Sequence, residues 1–266
     1  MRRLIHILLS FAFLSAVPAA AQTAEERAQL DWAQQRGRLL YEIDRAAWVT
    51  TDDLRARIPD LAASGIRGWT VEREGSGYQV IFYAGEGDAR VAAYRARVVN
   101  NRVVTAEVIA PGSRPPLTLL QRRLADARGA VARLGQQPCA QAPFNVAVIP
   151  PERLDAPIDV YALTPQTNAR VFPFGGHYRA TIAPSGEILS QRGFMRSCFN
   201  APLPPEGERP AALFLTHLLD PTPSEIHVFM SIWMDVPVIV GTSEPRRLWQ
   251  VNRDRIGPSM PVLPSN

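Results

Sequence analysis

Short runs of β-branched and aromatic residues, separated by clusters of turn-forming residues, occupy positions 68–109 of this 266-residue chain. Turn clusters dominated by glycine and asparagine at positions 75–77, 85–88 and 100–101 divide the segment into four runs rich in valine, isoleucine, tyrosine and threonine. Runs of this length, joined by such turns, are typical of an antiparallel meander. The sequence therefore predicts a small four-stranded sheet.

The segment before the predicted sheet is helical in pattern. Residues 25–49 place apolar side chains at helical spacing, and Trp32 and Trp48 would widen the buried stripe. A second helix is expected over residues 50–65, because two threonines offer an N-cap and two aspartates follow in the first turn. Pro59 is expected to kink or divide it.

The rest of the chain mixes helices and strands, so the predicted fold class is α+β. Helices packed on a small antiparallel meander are expected in residues 22–115, a mixed α/β domain in 116–256, and a loose tail in 257–266. Helical periodicity predicts a helix over residues 117–134. Further strands are expected at 144–149, 159–163, 178–182, 187–191, 211–219, 237–241 and 246–252, and a short helix at 224–234.

The N-terminus has the composition of a secretory signal peptide. Arg2 and Arg3 precede a largely apolar run at residues 4–17, and a run of three alanines ends at Ala21. The alternative is a membrane anchor, but the run is shorter than the ~20 residues that a spanning helix needs. We therefore predict that residues 1–21 are cleaved and that the mature protein is periplasmic or secreted, without a membrane span.

All 29 basic residues of the chain are arginine. Chemistry that depends on a lysine, such as a Schiff base or a P-loop, is therefore excluded. Loss of Arg2 and Arg3 with the leader lowers the formal net charge from +4 to +2. The acids and arginines are interspersed without a basic run, so nucleic-acid binding is not predicted.

Cys139 and Cys198 are the two cysteines of the chain. In an exported protein such a pair most often forms a disulfide, which is the pairing we predict. The alternative, a reactive thiol, lacks both Cys-x-x-Cys spacing and a neighbouring histidine in the sequence.

Residues 214–227 form the segment most suggestive of chemistry. Positions 220–224 read Asp-Pro-Thr-Pro-Ser, after a predicted strand that contains His217 and at the start of a predicted helix. This run resembles the metal loop of the JAMM metalloproteases, especially their RadC-type relatives, in which two histidines and an aspartate hold zinc and a serine polarises the carbonyl under attack. The resemblance covers about residues 117–256. It implies Ser224 as the catalytic serine and His217 as a metal ligand, with His227 at the position of the last ligand. Because a catalytic zinc generally needs three protein ligands, His177 is the candidate for the third imidazole.

The segment also departs from the family pattern. When His217 is aligned with the second family histidine, Leu215 replaces the first, and His227 stands where the ligand aspartate should be. The expected function is therefore non-catalytic binding of a peptide or cell-envelope partner, with a degraded metal site and no cofactor. The alternatives are an exported zinc-dependent peptidase or amidase, and a structural envelope protein in which Thr222 or Ser224 merely caps the helix.

Overall fold

The computed structural model describes residues 22–205, 208 and 210–262, and it has the predicted α+β composition. The predicted signal peptide, residues 1–21, lies outside the described residues, as do residues 263–266 of the predicted tail. The helices are α1 (Ala24–Arg57), α2 (Leu119–Gly129) and α3 (Glu225–Met234). The strands are β1 (Ile66–Glu74), β2 (Gly77–Ala84), β3 (Val91–Val99), β4 (Arg102–Val108), β5 (Asn145–Ile149), β6 (Ile158–Leu163), β7 (Val171–Pro173), β8 (Tyr178–Ile182), β9 (Ile188–Gly193), β10 (Asn200–Pro202), β11 (Leu213–His217), β12 (Val238–Thr242), β13 (Arg247–Asn252), β14 (Arg255–Ile256) and β15 (Met260–Pro261).

The strands form separate sheets. β1 to β4 pair antiparallel in chain order, which confirms the predicted meander. A second antiparallel sheet has the order β5-β6-β8-β9, and β7 pairs with β10. In the last sheet β11 is parallel to β12, and β13 continues antiparallel beside it. The parallel pair is joined by α3, so the predicted order of strand, loop, helix and strand is present.

Helix α1 is one continuous helix of 34 residues, so the prediction of a separate helix beginning near residue 50 was wrong. The Thr50 hydroxyl donates to the Ala46 carbonyl at 2.6 Å, and the next threonine makes the same bond one residue later. These hydroxyls bond within the helix instead of capping a new one. The helix ends immediately before Ile58, which precedes Pro59 and is therefore disfavoured in helical conformation.

Helix α1 packs on all four strands of the meander and also on α3. Gly37 permits the close approach to α3, because a Cβ atom at this position would lie 2.5 Å from the Val228 Cβ. The first turn of α1 is tied to β13, where the Arg247 guanidinium donates to the Glu26 carboxylate at 2.8 Å. The predicted boundary at residue 115 falls between β4 and α2, and both parts of the chain contribute to one core.

Helix α2 covers the sheet β5-β6-β8-β9 on the face opposite this core. Val160 contacts the α2 side and Tyr161 the α1–α3 side, as period-two alternation requires. The predicted loose tail is held in part, since Met260–Pro261 pairs with β13. None of the described helices is both long and apolar enough to cross a membrane.

The predicted disulfide between Cys139 and Cys198 is formed, with the two Cα atoms 5.4 Å apart. It indicates an oxidising compartment and is compatible with export. Gly176 lies against it with φ +72°, and a Cβ atom there would lie 2.7 Å from the Cys139 Sγ. The bridge therefore packs on a turn that only glycine can form without strain.

Candidate functional site

His217 and His227 come together at the predicted metal loop. His217 ends β11 and His227 lies in the first turn of α3, and their ring centroids are 4.7 Å apart with the planes at 81°. Both side chains are buried. The short loop between strand and helix produces this proximity.

His217 is buried and belongs to a polar chain whose other members, Asp220 and Arg192, are partly exposed. Its Nε2 lies 2.7 Å from the Asp220 carboxylate, which also accepts two hydrogen bonds from the Arg192 guanidinium, at 2.6 and 3.2 Å. Burial opposes ionisation of Asp220, but the bonds from His217 and Arg192 outweigh it and hold the pKa of this carboxyl below its ordinary value. The ionised Asp220 thus fixes the loop to β9.

Ser224 and His227 form the cap of α3. The Ser224 backbone N–H donates to the His227 Nδ1 at 2.9 Å, and the Ser224 Oγ lies 3.1 Å from the same nitrogen. The His227 Nδ1 has one lone pair, and that lone pair already accepts the hydrogen bond from the Ser224 backbone N–H. It is therefore not free to act as a base toward the Ser224 hydroxyl. Ser224 is also buried. The predicted catalytic serine therefore has the contacts of an N-cap residue.

His177 stabilises a different part of the molecule. Its Nδ1 accepts a hydrogen bond from the Thr164 backbone N–H at 3.1 Å, and its Nε2–H donates to the Pro173 carbonyl at 2.8 Å. Burial lowers the pKa of His177 to about 4, so the ring is neutral at physiological pH. Both ring nitrogens are committed to backbone groups, which leaves none for a metal ion.

These contacts do not fit a catalytic zinc site with three protein ligands. Within residues 22–205, 208 and 210–262, no three His, Cys, Asp or Glu side chains are grouped so that they could hold a metal ion. The structure brings His217 and His227 together, while His177 is bonded beside the disulfide. The nearby carboxylate, Asp220, is engaged by Arg192.

A second buried polar cluster surrounds the residue after Ser224. The Glu225 carboxylate accepts hydrogen bonds from the Arg179 guanidinium at 2.7 Å and the Tyr161 hydroxyl at 3.1 Å. Burial raises the pKa of Glu225, and the charge of Arg179 opposes that shift. The ring of Trp32 covers the Arg179 guanidinium, whose carbon lies 4.9 Å from the centroid. This cluster joins α1, β6, β8 and α3.

An open cleft of about 350 Å³ lies along α1. We call it the aromatic cleft, because six aromatic side chains line it: Tyr41, Trp48, Trp69, Phe144, Phe229 and Trp233. Three of the five tryptophans of the chain are among them. Trp48 stands at its rim with 55% of its surface exposed, and the Arg45 guanidinium stacks on it at 4.8 Å.

The aromatic cleft also contains a carboxyl group with an unusual proton affinity. The Asn145 side-chain amide donates a hydrogen bond to the Asp44 carboxylate. Burial raises the pKa of Asp44 to about 6, although this hydrogen bond and the charge of Arg45 act in the opposite direction. The cleft thus combines aromatic surface with polar groups that can orient a ligand.

A separate apolar surface lies at the free edge of the last sheet. β11 is the edge strand, and Phe214 is 58% exposed, with Leu218 and Leu219 exposed just beyond the strand. Parallel pairing directs alternate backbone groups of β11 away from β12. This surface is the edge of a strand, whereas the aromatic cleft is concave.

The sequence pattern did not point to the aromatic cleft. Trp48 was assigned to the buried stripe of the first helix, but it is exposed, as is Trp32. No protein-family model matches the chain, and no curated protein matches it significantly. The likeness of residues 214–227 to the JAMM metal loop therefore stays a prediction.

Proposed function

We propose that this chain is an exported, non-catalytic peptide-binding protein of the periplasm or the extracellular space. The observation that carries the proposal is the aromatic cleft. Tryptophan, tyrosine and arginine are the residues most enriched at binding hot spots, and Trp48, Trp69, Tyr41 and Arg45 occur together in this cleft. A concave cleft of this volume suits a peptide segment better than the surface of a folded partner.

The predicted metal loop supports a role without catalysis. Asp220 is neutralised by Arg192, and one nitrogen of each imidazole, on His217 and His227, is engaged by a protein group. In this proposal the loop resembling the JAMM metal site holds β11 and α3 together. Removal of the leader after Ala21 and release into the periplasm or medium belong to the same proposal.

The proposal is tested with short synthetic peptides of random sequence, each made as the free acid and as the C-terminal amide. Binding of the purified, disulfide-bonded protein to an array of these peptides is measured, and the best binder is titrated by fluorescence anisotropy. Trp48→Ala is expected to raise its Kd by about 30-fold, the loss of a typical hot-spot contact. Because Trp48 is largely exposed, its truncation leaves the core intact.

Phe214→Ala is the matched control, since it removes an exposed aromatic ring at the edge of β11. It should leave the Kd unchanged. Loss of binding in Phe214→Ala but not in Trp48→Ala would contradict the aromatic cleft as the site. An array without any binder, in either terminal form, would contradict peptide binding and favour the structural envelope protein.

The zinc-hydrolase alternative makes an independent prediction. The protein saturated with zinc and then desalted would retain one zinc per chain, and His217→Ala or His227→Ala would lose it. We expect no stoichiometric zinc and no cleavage of the peptide that binds best. Retained zinc together with cleavage would overturn the non-catalytic proposal.

A further inference from the structure

A second cavity, of about 530 Å³, adjoins the aromatic cleft. Pro143 and Phe144 line both, so the two cavities share a wall formed by this pair of side chains. We call it the basic pocket, because Arg67, Arg90 and Arg128 line it. Among the described lining residues the one acid is Glu86, which is exposed.

Arg128 is the central group of the basic pocket. Its guanidinium carbon lies 3.6 Å from the centroid of the Trp69 ring, which also lines the aromatic cleft. One N–H donates to the Val146 carbonyl at 2.8 Å. In the part of the chain that the structure describes, no carboxylate lies within ion-pair distance of this guanidinium. Stacking thus fixes its plane while most of its donors lack a protein acceptor.

Arg128 is partly buried, and this arrangement leaves its charge without a carboxylate partner among the described residues. Burial lowers its pKa to about 10, which still leaves the group charged at neutral pH. Buried charges are ordinarily paired with an opposite charge. An anion entering the pocket would supply that charge, whereas Asp126 already neutralises Arg90 at 2.6 Å.

The other residues that line the basic pocket restrict the chemistry of its ligand further. Arg67 is exposed at the rim and has no ion pair within the described residues. Tyr83, Gln136 and Gln137 provide further polar atoms, and Phe144 provides an apolar wall. The planar fork of a guanidinium matches the two oxygens of a carboxylate. The lining therefore suits a carboxylate attached to an apolar body.

We propose that the basic pocket binds the C-terminal carboxylate of the peptide whose preceding side chains occupy the aromatic cleft. This inference rests on the proposed function, since it assigns one end of the same ligand. Trp69 couples the two regions, because one face of its ring holds Arg128 and its side chain lines the cleft. Selection of a free terminus would restrict binding to chain ends released by proteolysis or by completed synthesis.

The test compares the best-binding peptide as the free acid and as the C-terminal amide. The amide is expected to bind the wild-type protein at least about tenfold more weakly, as loss of a charge-assisted hydrogen-bonded pair implies. Arg128→Gln should weaken the free acid by a similar factor and leave the amide almost unchanged. Equal binding of the amide by both proteins also shows that Arg128→Gln remains folded.

Arg133→Gln is the matched control, because this variant also removes one arginine charge from the same region. Arg133 donates to the Gly186 carbonyl and lies outside the basic pocket. It should bind both peptide forms like the wild type. If Arg128→Gln does not fold, Arg67→Gln at the exposed rim replaces it, with the same direction expected. Equal affinity of acid and amide for the wild type would overturn the inference while leaving the proposed function standing. Absence of binding by either form would overturn both.

Discussion

Asp44 is a carboxyl group whose replacement is expected to stabilise the protein at neutral pH. Burial raises its pKa from 3.8 to about 6, so the native state holds a proton more tightly than the unfolded chain. At neutral pH both states are ionised, and the native state bears the cost of the buried charge. A difference of this size corresponds to about 3 kcal/mol, since one pKa unit is about 1.4 kcal/mol.

The cost must disappear on acidification. As pH falls from about 6 to about 4, the native carboxyl is protonated first, so its unfavourable contribution is progressively removed. Asp44→Asn removes the charge at every pH, and its side-chain oxygen can still accept the hydrogen bond from Asn145. We therefore expect a stabilisation of up to about 3 kcal/mol near pH 7 that declines to nearly zero below about pH 4.

Urea unfolding followed by tryptophan fluorescence at several pH values measures this difference. Asp52→Asn is the control, because Asp52 is an exposed carboxyl that lines the same cleft. It changes the net charge equally and should shift the free energy of unfolding by less than about 0.5 kcal/mol. A stabilisation by Asp44→Asn that is independent of pH, or a destabilisation near neutrality, would refute the reasoning.

Three other perturbations test the packing around the site. Cys139→Ser is expected to lower the free energy of unfolding by about 4 kcal/mol, the chain-entropy value for a loop of 59 residues, and an unchanged urea midpoint would contradict this. Gly176→Ala should lower the free energy of unfolding by more than about 2 kcal/mol through backbone strain and steric overlap. Gly186→Ala, at φ +85° but with open space around the new Cβ, should lower it by about 1 kcal/mol. Equal urea midpoints for the two variants would contradict the overlap at Gly176. Arg179→Met should cost about 3–5 kcal/mol because it leaves Glu225 buried without its cation, and adding Glu225→Gln should recover most of it. Equal thermal midpoints for that single and double variant would contradict the pairing.

Local sequence patterns predicted the helices and strands better than they predicted which side chains lie together in the folded protein. The meander follows from turn clusters and alternation within residues 68–109, and the proximity of His217 to His227 follows from a short loop. The helix break expected near Thr50 is absent from α1. A threonine hydroxyl can cap a new helix or donate to the carbonyl four residues earlier, and the sequence alone does not distinguish the two.

The aromatic cleft could not be deduced in this way. Its walls come from α1, β1, α3, β5 with the segment before it, and β6 with the segment after it, so the pocket exists only after distant parts of the chain have packed. Trp48 lies close to the helical stripe in sequence, but α1 is covered by partners on only part of its surface. Likewise, the stacking of Arg128 on Trp69 joins α2 to β1, and no local pattern in the sequence predicts that contact.

The attachment of α1 to the last sheet has a consequence for the order of events after synthesis. The Ile256 backbone N–H donates to the Gln34 side chain across 222 positions, and Arg247 bonds Glu26 across 221. The helix can pack on the meander early, but its contacts with α3 and the last sheet must wait until almost the whole polypeptide has been delivered. Contacts of such long sequence separation slow folding. During this interval the nascent molecule is a substrate for chaperones and proteases, because the face of α1 that packs on α3 stays uncovered until residue 234 has been made.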